Sequence, residues 1–357
     1  MNGVRVLHVC ASLGIGGLEQ VVLDLVHAGR AAGHDDRVLV FDALEPGEPE
    51  NPRAAGVPIE RVRRRRGLDR ACVRAIEQSL SSTGARVVHA HNDTALVLAA
   101  FARRAMPRVT RPRLVVTFHN RPPHRTLLGR WLARWATGRA DAVVTVSAEL
   151  CTRLRAEGWL RDAELIVNGV DVARFGPRET TRAPGPLRIG MLARFAPPKR
   201  HDLLFAAARL LAERGLDVEI LLAGDGPQRE RVLDGMKVLS RARWVGFVAD
   251  PAAFLAQLDV LAVLSDHEGT PLSMLEGIAM GLPVVASSVG GIPAIAGEAD
   301  GALIVPNEAP AIADAFERLV DPHVRAALGA RARTAACGRH AVARAVERYE
   351  ALYSAGN

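Results

Sequence analysis

Lysine is nearly missing from this chain. Its 46 lysines and arginines are 44 arginines and only two lysines, Lys199 and Lys237, so a lysine anywhere runs against the chain's own bias. Aromatic residues are only 4% of 357 residues, which leaves alanine, valine and leucine to fill the interior. Cysteine is scarce as well. Cys10, Cys72, Cys151 and Cys337 are far apart and form no C-x-x-C pair, which argues against a zinc site or a disulfide scaffold and for a reducing compartment. No apolar run reaches membrane-spanning length, and MNGVRVLHVC leads straight into a strand with no room for a signal peptide. A cytoplasmic chain is expected.

What is present suffices for two sizeable cores, since 49% of the residues are hydrophobic and the length corresponds to two domains. The net charge of +7 is uneven. Residues 1–180 carry 27 arginines against 19 acids (+8), and residues 181–357 carry 19 basic residues against 20 acids (−1). A basic first half suggests an acidic partner, either membrane lipid or an anionic acceptor, in preference to nucleic acid. The competing reading is a solvated arginine-rich surface.

Apolar runs alternate with helical patterns throughout. Residues 4–10, 37–41, 59–62, 87–90, 114–118, 142–146 and 165–167 read as strands of a first domain, and 187–192, 218–223, 259–264, 283–286 and 302–305 as strands of a second. This βα alternation implies doubly wound parallel sheets of the Rossmann type. The stretch 175–186, rich in Pro, Gly and Thr, is the expected hinge.

The chemistry concentrates in residues 264–293, LSDHEGTPLSMLEGIAMGLPVVASSVGGIP. A helix is expected from Pro271 to about residue 280, with proline at its first position and Gly281 as its stop. The amides of Leu272 and Ser273 fall in its first turn, where a helix binds phosphate. Glu268 and Glu276 bracket that turn. Phosphate would repel them, so they should face the neutral, hydroxyl-rich parts of a ligand. A diphosphate with a ribose at one end and a sugar at the other fits. The alternative is an ordinary surface helix with two solvated acids.

Glu268-x7-Glu276 followed by GLPVVASSVGGIP resembles the donor-site signature of retaining glycosyltransferases of family 4, which have the GT-B fold. The resemblance covers nearly the whole chain and is strongest from Arg194 to Pro293. It departs at Ala294, where the family often has glutamate after Gly-Gly. It implies that Glu268 contacts the transferred sugar and Glu276 the nucleotide ribose, with Thr270, Pro271, Leu272 and Ser273 lining the donor site. Arg194 and Lys199 match the family's cation pair on the loop after a strand, where fixed positive charge stabilises a departing diphosphate. The turn Gly224-Asp225-Gly226-Pro227 recurs in the family, and the base is held by backbone near Phe247 and Val248. In the first half, Gly16, Gly17 and Glu19 match a glycine turn near the donor phosphate and the acceptor. The turn reads GxGG, not the dinucleotide GxGxxG. Thr117-Phe118-His119 matches a T-x-H whose histidine lies beside the reaction centre. His89 and His91 raise the thought of a metal cluster, but no supporting acid spacing accompanies them.

The resemblance thus implies an acceptor-side domain (1–178), a nucleotide-sugar domain (179–340) and a last helix (341–357) that returns to the first domain. It implies transfer from a nucleoside-diphosphate sugar, with UDP the expected base, to a sugar or lipid-linked acceptor, without metal or other cofactor. A GT-B sugar-nucleotide epimerase and a non-catalytic sugar-nucleotide-binding subunit are the alternatives. Arg63 to Arg66, and Arg130, Arg134 and Arg139 interleaved with Trp131 and Trp135, compose a basic aromatic surface suited to an anionic membrane.

Overall fold

The computed structural model describes residues 3–42, 44, 50–65, 67–122, 126–177, 185–299 and 301–355, apart from side chains 296–299. Arg66 and residues 178–184 of the expected hinge lie outside the described residues. The chain divides into two compact units, Met1–Gly169 with Val342–Asn357, and Val170–Ala341.

In the first unit, β1 (Arg5–Cys10), β2 (Asp35–Val40), β3 (Ile59–Arg61), β4 (Val87–Ala90), β5 (Arg113–Phe118), β6 (Ala142–Thr145) and β7 (Glu164–Leu165) form one sheet in the order β3-β2-β1-β4-β5-β6-β7. In the second, β8 (Leu187–Leu192), β9 (Val218–Ala223), β10 (Ala242–Trp244), β11 (Val260–Val263), β12 (Val284–Ser287) and β13 (Ala302–Val305) form another in the order β10-β9-β8-β11-β12-β13. Every pairing is parallel.

The continuous apolar runs follow from burial on both faces. Successive strand residues point to opposite sides of a sheet. Leu261 and Val263 of β11 accordingly join a core with Leu275 and Ile278, while Val260 and Ala262 join a second core with Leu204 and Phe316. The first unit repeats this, with Leu39 packed beside Phe41 and Phe118, and Val38 and Val40 packed beside Val22 and Val26 on the other face. A strand covered on both sides has no reason to alternate polar with apolar.

Helices enter as their caps dictate. Ser147 accepts from the Leu150 amide to start Ala148–Ala156, and Asn92 accepts from Ala95 to start Asp93–Ala105. The last helix, Val342–Ser354, belongs to the first unit. Its Tyr349 hydroxyl meets Thr117 Oγ1 at 2.9 Å and its Tyr353 hydroxyl meets His89 Nδ1 at 2.8 Å.

In both sheets the winding reverses between the first and fourth strands, β1/β4 and β8/β11. Open α/β sheets bind ligands outside the carboxyl ends of strands at such points.

Candidate functional site

In the second unit, two loops leave the carboxyl ends of β8 and β11, and backbone hydrogen bonds stitch them together. The Arg200 amide donates to the Leu264 carbonyl at 3.0 Å, and the Asp266 amide to the Pro198 carbonyl at 2.8 Å. Ser265 Oγ adds a bond to the Pro198 carbonyl at 2.8 Å. Lys199 and Ser265 pair as an antiparallel bridge. The outcome is an ion pair between Lys199 Nζ and Glu268 Oε1, both partly buried. Glu268 is also held from behind, because the Gly291 amide donates to its carbonyl at 3.0 Å. Arg200 takes no part, since its guanidinium bridges Asp202 and Asp266 and those bonds raise its pKa further.

The helix after this loop runs Leu272–Ala279. Pro271 is its N-cap, at φ −68° and ψ 116°, not its first helical residue. The correction has a chemical consequence. Proline has no side-chain acceptor to cap the helix, so no cap hydrogen bond forms there. The amides of Leu272 and Ser273 have no partner among the described residues and sit at the positive end of the helix dipole. Thr270 is half-buried in the approach, and Glu276 is buried on the helix itself. Met280 follows, and Gly281 at φ 71° takes the left-handed turn that stops the helix.

Arg194, on the loop after β8, is exposed, and its guanidinium makes no hydrogen bond or ion pair with any described residue. Its loop rests on the turn Gly224–Pro227. The Phe195 amide donates to the Asp225 carbonyl and the Gln228 amide to the Phe195 carbonyl, both at 2.9 Å. A Cβ on Gly224 (φ 127°) would overlap the Ala193 carbonyl, and one on Gly226 (φ 159°) would meet the Phe195 carbonyl. Only glycine permits this approach. In the sequence this turn reads as the lead from a strand into a helix and recurs in the resembling family. Its task, supporting the arginine loop, was signalled by two glycines directly after a strand. Phe247 is 47% exposed beyond β10, while Val248 packs against the core.

In the first unit, Gly16 is the N-cap of the helix Gly17–Ala31, and Glu19 stands in its first turn. A Cβ on Gly16 would collide with the Glu19 carboxylate, which therefore lies back over the helix start, as a capping-box glutamate does. The same charge, after burial, raises the pKa of Cys10.

His119, directly after β5, is buried. It joins a cluster with His8, His89 and His91, unforeseen because these residues come from three strands. The second histidine of HAH lies two residues beyond the first, directly after the end of β4, and His8 of β1 is in register with His89. Burial lowers the pKa of His119 to about 4 and holds His89 and His91 well below the usual value. Ring nitrogens of His8, His89 and His91 lie within 4.8 Å of one another, the spacing of a metal site. Hydrogen bonds account for them without a metal: His89 Nε2 meets Thr117 Oγ1 at 2.8 Å, its Nδ1 meets Tyr353, and His91 Nε2 meets His8 Nδ1 at 2.9 Å.

The basic surface is partly neutralised. Arg64 pairs with Asp42 at 3.0 Å. Trp135 packs inward against Phe101, with ring centroids 4.8 Å apart, and Arg139 lies over it. Arg134 covers Trp159. Outward on the same helix, Leu127, Leu128 and Trp131 are 85%, 66% and 61% exposed, beside exposed Arg130.

Two doubly wound parallel α/β units, each with glycine-rich or cationic loops at its switch point, define a protein of the GT-B fold class. A family model described as "Glycosyltransferase Family 4" matches residues 15–174, and one described as "Glycosyl transferases group 1" matches residues 186–322. The chain belongs to the family 4 glycosyltransferases. It is 28% identical over 236 residues to N-acetyl-alpha-D-glucosaminyl L-malate synthase of Bacillus anthracis, covering 62% of this chain and 61% of that protein's length. It is 27% identical over 346 residues to phosphatidyl-myo-inositol mannosyltransferase of Mycolicibacterium smegmatis, covering 89% and 84%. The crystal structure of Anabaena HepE in complex with UDP shares the fold, with a TM-score of 0.79 at 21% identity, covering 97% of this chain and 98% of that one. No helix among the described residues is long and apolar enough to cross a membrane.

Proposed function

We propose that this chain is a retaining glycosyltransferase that moves a sugar from a nucleoside-diphosphate sugar, with UDP as the carrier, onto an acceptor hydroxyl in glycan, polysaccharide or glycolipid synthesis. One observation carries the reading. At the switch point of the second unit, Arg194 and the amides of Leu272 and Ser273, which have no side-chain or capping partner among the described residues, and the Lys199–Glu268 pair supply positive charge and donors, while Glu268 and Glu276 supply acceptors. Arg194, Lys199 and the two amides bind the diphosphate and stabilise the charge that grows as it leaves. Glu268 addresses the sugar and Glu276 the ribose. Phe247 and Val248 flank the base. Gly16, Gly17 and His119 serve the acceptor side. The departing phosphate assists removal of the acceptor's proton, so transfer occurs on one face and no enzyme carboxylate need act as nucleophile. No metal is required, because fixed cations take its place.

The choice of UDP draws support from the UDP complex of HepE. A lipid-linked acceptor draws support from the relative named for phosphatidyl-myo-inositol and from the exposed Leu127, Leu128 and Trp131 beside Arg130. Such a helix face suits a cytoplasmic protein held peripherally at anionic lipid.

The test is incubation with UDP-, GDP- and ADP-sugars, with and without candidate acceptors, and product analysis by mass spectrometry and NMR. A glycosylated acceptor with the donor's anomeric configuration is expected. Release of an epimerised sugar nucleotide without acceptor would assign the fold to an epimerase instead.

A further inference from the structure

Three imidazoles of the first unit stand in a row that ends on a carboxylate. His91 Nδ1 faces His119 Nε2 at 3.3 Å, and His91 Nε2 faces His8 Nδ1 at 2.9 Å. His8 Nε2 in turn lies 3.5 Å from Asp36 Oδ1. All four side chains are buried. At the opposite end, His119 Nδ1 is buried with no partner among the described residues. His89 lies tilted against His91, with centroids 4.1 Å apart, but stays outside the row, since its nitrogens serve Thr117 and Tyr353.

Every link between two rings needs one N–H and one lone pair. A ring with a single proton therefore transmits its orientation to the next. Burial holds His91 and His119 in that singly protonated form near neutral pH. The direction of the row is then decided where a group of fixed role stands. A carboxylate only accepts. Asp36 Oδ1 has no hydrogen bond among the described residues, and Oδ2 is 3.9 Å from His34 Nδ1, whose Nε2 contacts Glu350 at 2.8 Å. A lone pair on His8 Nε2 would point at a buried negative oxygen, whereas an N–H there is attracted to it.

We propose that Asp36, His8 and His91 are positioning residues that hold His119 as its Nε2–H tautomer, leaving Nδ1 bare to accept a hydrogen bond from a substrate hydroxyl. With its proton on Nε2, His8 offers a bare Nδ1. His91 donates Nε2–H to it and keeps Nδ1 bare. His119 donates Nε2–H to that atom. Its remaining nitrogen, at the carboxyl edge of the first unit's sheet, then selects for chemistry. A sugar or acceptor hydroxyl brings the proton that this nitrogen lacks, and an anionic phosphate oxygen does not. A buried carboxylate is known to set the tautomer of the histidine it touches, and here the setting passes through two intervening rings, His8 and His91, to reach His119. This inference rests on the glycosyltransferase reading for the identity of the hydroxyl.

The experiment is long-range 15N–1H correlation on the full chain labelled with 15N-histidine, with His119 assigned by the signals lost in His119→Gln. The wild-type protein is expected to show His119 protonated at Nε2 and bare at Nδ1. The opposite tautomer, or a doubly protonated ring, overturns the proposal. Asp36→Asn places an amide that donates to His8 and reverses the row. It should move the His119 proton to Nδ1 and lower kcat at least about tenfold while changing the donor KM less than about twofold. An unmoved His119 tautomer in a folded Asp36→Asn protein contradicts the role of Asp36. The wild-type spectrum decides the tautomer even if that variant does not fold. Failure of every sugar nucleotide to react leaves the spectrum readable, so the two readings fail separately.

Discussion

Lys199 and Glu268, 69 residues apart in sequence, form an ion pair across two stitched loops at the β8/β11 switch point. The pair couples a cation suited to a diphosphate with a carboxylate suited to a sugar. Loss of either partner leaves the other unbalanced in a partly buried position, so the two substitutions should not add.

The two acids should divide their work. Glu268→Gln is expected to lower turnover strongly while nucleoside diphosphate affinity stays nearly intact. Glu276→Gln, on the buried face of the helix, is expected to weaken nucleotide binding instead. Titration calorimetry with UDP beside kcat measurements checks this, and equal affinity losses in both variants would refute the division.

Arg194→Ala and Lys199→Ala should each cost at least about 2 kcal/mol of transition-state stabilisation, as other lost electrostatic donors do. That corresponds to a fall in kcat/KM of roughly thirtyfold. A change below about threefold for either would remove that residue from the diphosphate.

Transfer should survive EDTA, because Arg194, Lys199 and the start of the helix Leu272–Ala279 already supply positive charge. Complete loss of activity, restored by Mg²⁺ or Mn²⁺, would show that the charge assignment is wrong.

Much of this was legible in the sequence. β4, β8, β9 and β13 fall on the residues that their apolar runs mark, since strands buried on both faces and bounded by turn residues leave little ambiguity. The residues proposed for the donor site stand out in the sequence because they cluster in short segments, each at the end of such a strand. The row from Asp36 to His119 was not. Its members come from β1, β2 and the ends of β4 and β5, and only the pairing of those strands brings them together. Net charge was a poor guide to the basic surface for the same reason: Arg61 and Arg64 find Glu50 and Asp42 only in three dimensions. Tryptophan spacing placed both rings on one helix but did not tell the packed Trp135 from the exposed Trp131.

The exposed face of Leu127–Thr137 should bind anionic vesicles at low salt and release them at high salt, since each nearby cation contributes about 1 kcal/mol and salt screens it. Leu127→Ser with Trp131→Ser should reduce co-sedimentation without changing UDP affinity. Absence of wild-type protein from the pellet at low salt would favour a soluble acceptor.

The most direct test of the central claim is thermal unfolding in the presence of UDP-sugars, for the wild-type protein and for Arg194→Ala/Lys199→Ala. A ligand at about 100 times its Kd stabilises the folded state by about 2.7 kcal/mol. The account predicts a clear rise in Tm for the wild-type protein that the double variant loses. A wild-type Tm unmoved by every UDP-, GDP- and ADP-sugar, or an equal rise in the double variant, would contradict a nucleotide-sugar site at the β8/β11 switch point.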